Sequence, residues 1–228
     1  MRIDVFTLVP HAYAWLTEQR PLAAVLGGEL ELRLFNYRET TPLRAGQVDD
    51  EPYGGGAGMV LRVDVVAAAL DAAYGGEPPG PVVALTPKGR QLTQAIVEEL
   101  AAEPALALLS ARFEGFDERV VEHLATDAIS VGPYVLSNGD LPAMVVLDAV
   151  ARRLPGALSA GSGELESFSP ELGGGLEYPQ YTRPAEFRGW RVPEVLLSGD
   201  HARIEAWRRA HVAQEPVTGE PVARERVT

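Results

Sequence analysis

Three segments of the sequence combine glycines with charged or aromatic side chains in patterns typical of ligand binding. The first, VDDEPYGGGAGM (48–59), places consecutive glycines beside carboxylates and a tyrosine, so its backbone could approach a phosphate or a base closely. It is not a Walker loop, because no lysine follows the glycines. A flexible surface turn is an equally good interpretation of this segment taken alone.

The second segment, ARFEGFDERV (111–120), follows an apolar stretch and precedes a helical one. Ligands of parallel α/β sheets bind at such strand ends. Glu114 could accept hydrogen bonds from a ribose, and Gly115 permits a close approach. Asp117 could equally be only a helix N-cap, with Glu118 and Arg119 forming a solvated pair.

The third segment, ISVGPYVLSNGDLPAM (129–144), predicts a strand, an extended loop and the start of a helix. Backbone groups of the loop could bind an adenine edge, while Tyr134 and Leu136 sandwich its ring. Asp140 is predicted to cap the helix and Pro142 suits its first turn. The alternative is a plain connection without a ligand.

Few side chains are candidates for catalysis. Arg152 is at the end of the predicted helix, where it could serve the helix dipole or stabilise negative charge on a substrate. Glu164 and Glu166 lie in a glycine-rich segment and could act as general base. The four histidines show neither metal-ligand spacing nor an evident serine partner: His11, His123, His201 and His211.

Short apolar runs alternate with amphipathic stretches over the first three quarters of the chain. The predicted strands are Ile3–Leu8, Leu30–Phe35, Val82–Leu85, Ala105–Leu109 and Ile129–Val131. The predicted helices are His11–Leu26, Val63–Tyr74, Thr93–Ala102, Asp117–Leu124 and Leu141–Leu154. This alternation predicts an α/β fold with a mainly parallel sheet and helices on both faces.

Composition narrows the functional class. A net charge of −12 argues against broad, nonspecific nucleic-acid binding, but it permits a local arginine groove. The chain has no cysteine, so it has no disulfide or cysteine metal site. No apolar run is long enough to cross a bilayer and the N-terminus lacks signal-peptide features, so we expect a cytoplasmic protein without membrane contact.

The motifs occur in an order that resembles the bacterial tRNA (guanine-N1)-methyltransferases, of the SPOUT class, along nearly the whole chain. The matching pieces are VDDEPYGGGAGM, LTPKGRQL, RFEGFDERV, VGPYVLSNGDLPAM, YTRP and VPEVLLSGDHARIEAWRR. The resemblance implies a deep trefoil knot, which is rare among folds. It also implies a homodimer with its active site between subunits. The expected organisation is a knotted domain at 1–157, a flexible linker or lid at 158–184, and a small helical tRNA-binding domain at 185–228.

The resemblance also implies the reaction and its residues. S-adenosylmethionine would donate a methyl group to N1 of the guanosine just 3′ of the tRNA anticodon, assisted by Mg²⁺. Catalytic roles are implied for Glu166, Arg152 and Asp49. Cofactor binding is implied for three loops and the start of a helix: Leu85, Thr86, Pro87, Ala111, Phe113, Glu114, Gly115, Val131, Gly132, Pro133, Tyr134, Val135, Leu136, Gly139 and Pro142.

Two alternatives stay open. The chain could be a SPOUT relative that methylates another RNA nucleotide or a small molecule. It could also be a non-catalytic nucleotide-binding module that keeps the knot. Family members usually have aspartate where Pro133 and Glu166 stand, and these substitutions favour the alternatives. Arg152, Asp49 and YTRP favour tRNA methylation.

Overall fold

A computed structural model of the protein describes residues 1–159 and 166–213. The chain forms two compact units, Met1–Leu158 and Ser159–Thr228. Glu164, one of the two candidate bases, lies outside the described residues. No helix in the described ranges is long and apolar enough to cross a membrane.

The first unit is built on a parallel five-stranded sheet with the strand order β2-β1-β6-β5-β7. The strands are β1 (Arg2–Thr7), β2 (Glu31–Asn36), β5 (Val82–Gln91), β6 (Ala105–Leu109) and β7 (Asp127–Ser130). A small antiparallel pair, β3 (Asp49–Asp50) and β4 (Val60–Leu61), lies outside the sheet. The predicted parallel α/β architecture is therefore confirmed.

The sheet has a separate core on each face because alternate residues of a strand point to opposite sides. Ile3 and Val5 of β1 belong to one cluster, whereas Phe6 belongs to the other. Every residue of β6 is buried, as expected for a strand covered on both faces.

Helices cover both faces. Helix α4 (Val63–Tyr74) packs on the Phe6 side, whereas α5 (Gln94–Ala101) and α6 (Asp140–Ala151) pack on the Ile3 side. Thr93 caps α5, because its hydroxyl accepts a hydrogen bond from the Ile96 amide at 3.4 Å. The prediction for α4 matches its observed bounds.

Three local predictions were wrong. His11–Leu26 is not one helix but a 3₁₀ turn (Pro10–Tyr13) followed by α1 (Ala14–Thr17) and α2 (Leu22–Val25). Pro21 separates the two short helices because it has no amide hydrogen to donate. The Asp117–Leu124 helix is reduced to a single π turn at Val120–Leu124.

The third error concerns Asp140, which is the first residue of α6 and not its cap. Its carboxylate makes no capping hydrogen bond. It is buried and accepts hydrogen bonds from hydroxyl groups elsewhere in the chain. The short helix α3 (Tyr37–Thr40), capped by the Asn36 side chain, completes the first unit.

The second unit contains short elements. A 3₁₀ turn (Pro170–Leu172) is followed by a hairpin of β8 (Glu186–Phe187) and β9 (Trp190–Arg191). Helices α7 (Glu194–Leu197) and α8 (His201–Ala210) come next. Asp200 caps α8 by accepting a hydrogen bond from the Arg203 amide at 3.1 Å.

Candidate functional site

Strands β5, β6 and β7 bring the predicted cofactor loops together. Strand β5 pairs with both neighbours, and all three strands run in the same direction. Leu85 and Arg90 both pair with Ile129, so residues 86–89 leave the sheet as a bulge. The predicted Leu85–Pro87 loop is therefore an irregularity within one long strand, which places it beside the loop after β7.

A cavity of about 310 Å³ lies between these segments. All of the predicted cofactor residues line it except Pro133, which is exposed and lies outside the lining. Arg112, which lies inside the predicted loop from Ala111 to Gly115, lines it too. The sequence did not assign a further set of lining residues to cofactor binding: Lys88, Phe116, Glu118, Val121, Ile129, Ser130, Ser137 and Asn138. Several of them directly flank the predicted residues, so widening each loop by one position would have included them.

The loop after β7 leaves no room for a side chain at Gly132. A Cβ atom at this position would overlap the Tyr134 ring. The ring is held there by a hydrogen bond from the Tyr134 hydroxyl to the Val131 carbonyl at 3.2 Å. Tyr134 therefore folds back over Gly132, and a side chain at position 132 would displace the ring from the cavity wall.

The glycine-rich segment between β3 and β4 adjoins the loop after β6. The Glu114 amide donates to the Met59 carbonyl at 2.9 Å, and the Leu61 amide donates to the Gly115 carbonyl at 3.0 Å. Gly58 has a φ of +85°, and a Cβ there would overlap the Glu114 side chain. Glycine at this position therefore lets the segment lie directly against a cavity-lining carboxylate.

Asp49 belongs to the same hairpin, where it pairs with Leu61 of β4. Its neighbour Asp50 forms an ion pair with Arg62 at 2.9 Å, and Arg62 also pairs with Asp64 at 2.8 Å. The hydrogen bond from Arg62 lowers the pKa of the Asp64 carboxyl. Asp49 pairs with Leu61, and the Leu61 amide in turn donates to the Gly115 carbonyl. The hairpin thus links Asp49 to the loop that contains Glu114.

The ion pairs near the cavity differ from the solvated pair of Glu118 and Arg119 that the sequence suggested. Lys88 and Glu118 form an ion pair at 2.7 Å, and both line the cavity. Arg119 pairs instead with Asp117 at 2.6 Å and lowers the pKa of that carboxyl. Except for Asp117, these side chains are more than half exposed, so both pairs contribute little to stability.

The three candidate catalytic residues are distributed over both units. Arg152 is the C-cap residue of α6 in the first unit, and its amide donates to the Asp148 carbonyl at 3.1 Å. Glu166 is partly buried in the second unit, where its carbonyl accepts from the Ser169 amide at 3.0 Å. Asp49 belongs to the first unit.

Among residues 1–159 and 166–213, no group of three or more His, Asp or Glu side chains is arranged to hold a metal ion. His123 lies 3.7 Å from Glu122 on the surface, and the His211 ring stacks on Trp207 with centroids 4.0 Å apart. His211, the C-cap residue of α8, thus packs against a side chain of its own helix.

Comparison with known proteins adds independent information. The family described as tRNA (Guanine-1)-methyltransferase TrmD matches residues 1–220. A tRNA (guanine-N(1)-)-methyltransferase of Dehalococcoides mccartyi is 45% identical over 231 residues, covering 100% of this chain and 92% of the relative. The protein of that name from Brevibacillus brevis is 48% identical over 210 residues, or 91% of this chain and 85% of the relative.

A third relative with the same name, from Gloeobacter violaceus, is 48% identical over 215 residues and 92% of each chain. The family match spans residues 1–220, a range that contains the glycine-rich segment, the three loops and α6. The chain belongs to the tRNA (guanine-1)-methyltransferase family.

Proposed function

We propose that this protein transfers a methyl group from S-adenosylmethionine to N1 of the guanosine just 3′ of the anticodon in tRNA. The observation that carries the proposal is the cavity between the bulge of β5 and the loops after β6 and β7, in a chain that belongs to this family. Its volume is at the lower end of the range for small-molecule sites.

The lining residues fit the cofactor chemically. Tyr134 and Leu136 offer apolar surfaces that would sandwich the adenine ring, while loop backbone groups bind its edge. Glu114 would accept hydrogen bonds from the ribose hydroxyls. When bound, S-adenosylmethionine supplies an electrophilic methyl group on its sulfonium.

The remaining chemistry belongs to side chains of this chain. Guanine N1 carries a proton at neutral pH, and this proton must leave for the nitrogen lone pair to attack the methyl carbon. Glu166 would accept the proton as general base. Arg152 would stabilise the negative charge that develops on O6, and Asp49 would assist from the glycine-rich hairpin. The resemblance also implies that Mg²⁺ assists, and we propose this without assigning its ligands.

A homodimer with its active sites between subunits is part of the proposal. Val135 is 86% exposed in the cavity loop, and Leu141 and Val145 are about half exposed one turn apart on α6. Apolar side chains exposed together mark interaction surfaces. A second copy that covers Val135 would also approach the cavity, because Val135 lines it.

The proposed organisation is a knotted domain at 1–157, a lid at 158–184 and a tRNA-binding domain at 185–228. The compact unit Met1–Leu158 agrees with the first boundary. A hydrogen bond from the Gly139 amide to the Ala111 carbonyl at 2.7 Å joins two segments that a knot would bring together. The short helices α7 and α8 fit a small helical RNA-binding domain.

The test is transfer of a radiolabelled methyl group from S-adenosylmethionine to unmodified tRNA, followed by mapping of the modified base. Label at N1 of the guanosine 3′ of the anticodon is the expected result. Label at another nucleotide would make the chain a relative with a different target. Cofactor binding without any transfer to RNA would make it a non-catalytic nucleotide-binding module.

A further inference from the structure

Asp140 is a buried carboxylate that has no role in the mechanism proposed above. It is 3% exposed, and three hydroxyl groups donate hydrogen bonds to its Oδ1 atom. The donors are Thr7 at 2.6 Å, Ser110 at 2.9 Å and Tyr13 at 3.2 Å. Its Oδ2 atom is also buried and has no hydrogen-bond partner among the described residues. A carboxylate oxygen that accepts three hydroxyl donors ties distant parts of the chain to one point.

Helix capping does not explain this carboxylate. The Asp140 amide donates instead to the Asn138 side chain at 3.0 Å, so the N-terminus of α6 is served by a different residue. The partners of the carboxylate are the last residue of β1, the turn that follows it, and the residue after β6. Asp140 thus fastens the first turn of α6 to the ends of two neighbouring strands.

The Tyr13 donor keeps its proton at neutral pH. Burial raises the pKa of the Tyr13 phenol, and the charge of Asp140 and its hydrogen bond raise it further. Tyr13 therefore remains a hydrogen-bond donor to Asp140.

This cluster lies directly behind one wall of the cavity. Gly139 and Ala111, the chain neighbours of Asp140 and Ser110, both line the cavity. The Gly139 amide donates to the Ala111 carbonyl at 2.7 Å. The hydrogen bond from Ser110 to Asp140 runs beside this contact and joins the same two segments a second time.

We propose that Asp140 is a positioning residue for the cofactor. Its carboxylate holds the Gly139 segment against the Ala111 segment and thereby fixes the shape of the cavity before the cofactor binds. The proposal rests on the proposed function, since it takes S-adenosylmethionine as the occupant of this cavity. Loss of the carboxylate should weaken cofactor binding and leave the chemical step nearly unchanged, because Asp140 is buried behind the wall.

A buried carboxylate could also serve stability alone, and Asp4 provides the matched comparison. Asp4 is 1% exposed and accepts hydrogen bonds from Arg33 at 2.7 Å and from Tyr74 at 2.8 Å. It lies in the same strand as Thr7 but does not line the cavity. Asp4→Asn therefore reports the cost of changing a buried carboxylate in this unit without changing the cavity wall.

The experiment compares Asp140→Asn, Ser110→Ala, the double variant and Asp4→Asn with the wild-type protein. Calorimetry of wild type with S-adenosylmethionine comes first, because failure to bind would overturn the proposed function and not the role of Asp140. Asp140→Asn keeps the size of the side chain, but places an NH₂ group among hydroxyl donors. We expect KM for S-adenosylmethionine to rise about tenfold, as for loss of a hydrogen bond to a charged group, and kcat to stay within about threefold.

The other variants make the result specific. Ser110→Ala should raise KM by a smaller factor, and the double variant should raise it by less than the product of the two single effects, since both changes remove one interaction. Asp4→Asn should lower the thermal midpoint and leave KM unchanged.

Three results would overturn the positioning role. One is an unchanged KM in Asp140→Asn, whether or not its thermal midpoint falls. The second is a lower kcat at unchanged KM, which would connect Asp140 to the chemical step. The third is multiplicative effects of Ser110→Ala and Asp140→Asn on KM. If Asp140→Asn does not fold, the KM of Ser110→Ala decides, and an unchanged value rejects the proposal.

Discussion

Gly132 and Tyr134 define the cavity at the scale of single residues. Only glycine fits at position 132, because the Tyr134 ring occupies the space that a Cβ atom would need. The ring in turn is anchored to the Val131 carbonyl, within the same loop. The spacing of glycine and tyrosine in VGPYVL is therefore a steric requirement of this loop.

Gly132→Leu should weaken binding of S-adenosylmethionine by at least about tenfold, since the added side chain must displace the Tyr134 ring from the cavity wall. Calorimetry measures the dissociation constant directly. Gly76→Leu is the matched control, because nothing lies within 4 Å of a Cβ atom at that exposed glycine. Equal affinities for wild type and Gly132→Leu would place the cofactor elsewhere.

Glu166→Gln should slow methyl transfer by roughly a hundredfold or more with cofactor affinity intact, in line with the usual contribution of a general base. Single-turnover rates at saturating cofactor provide the measurement. Glu171→Gln, an exposed change in the same unit, is the control. A large loss in Glu164→Gln with none in Glu166→Gln would assign the base to Glu164, and near-wild-type rates in both would exclude both carboxylates.

Helix α6 connects the cavity to the proposed catalytic arginine at the scale of elements. Its first turn, beginning at Asp140, lies behind the cavity wall and its last turn leads into Arg152. Between them, Asp148 is partly buried on the same helix, four residues before Arg152. Burial raises the pKa of the Asp148 carboxyl, and the charge of Arg152 opposes this effect.

The raised pKa of Asp148 predicts a pH-dependent effect on stability. Because the folded state holds this proton to a higher pH than the unfolded state, the penalty is present above the folded pKa and disappears as pH falls through it. Asp148→Asn should therefore gain most stability relative to wild type near pH 7, and the difference should shrink as the pH falls toward about 4. Thermal unfolding of both proteins across this range measures it.

Asp71→Asn, at an exposed position on α4, controls for a general effect of replacing a helical aspartate. A stability difference between Asp148→Asn and wild type that stays constant with pH would mean that Asp148 has the same pKa in the folded and unfolded chains.

Charge at the scale of the whole molecule constrains how RNA can bind. With a net charge of −12, attraction to phosphate must come from local groups of arginines. Arg183 and Arg188 are exposed in the second unit, where α8 contributes Arg208 and Arg209. The Arg208 guanidinium lies over the Tyr178 ring at 5.1 Å, so its substitution would also disturb packing.

Arg209 allows a cleaner test, because its side chain is 80% exposed and its ion pair with Glu205, at 3.2 Å, lies on the helix surface. Arg209→Ala should weaken tRNA binding and flatten the dependence of log affinity on log salt by about one unit, as for loss of one phosphate contact. Titrations at several salt concentrations measure the slope. An unchanged affinity and slope would exclude Arg209 from the RNA contact.

The sequence by itself determined the local features of this protein. The five apolar runs became the five strands of the sheet, and α4 has its predicted bounds, because periodicity and end signals act over a few residues. The cofactor residues that the family resemblance implies also line the cavity with one exception, since two of the three loops directly follow parallel strands, which end at one edge of the sheet. Pro133, exposed outside the lining, is the exception.

Only the tertiary structure decided which distant residues meet. The local sequence predicts that Asp140 caps a helix. In the structure its carboxylate instead accepts hydrogen bonds from Thr7, 133 residues away along the chain, and from Tyr13, 127 residues away. The bulge in β5 likewise depends on pairing with β7, and it places Lys88 opposite Glu118. Such contacts form because the sheet orders its strands as β2-β1-β6-β5-β7, an arrangement that depends on packing between segments far apart in sequence.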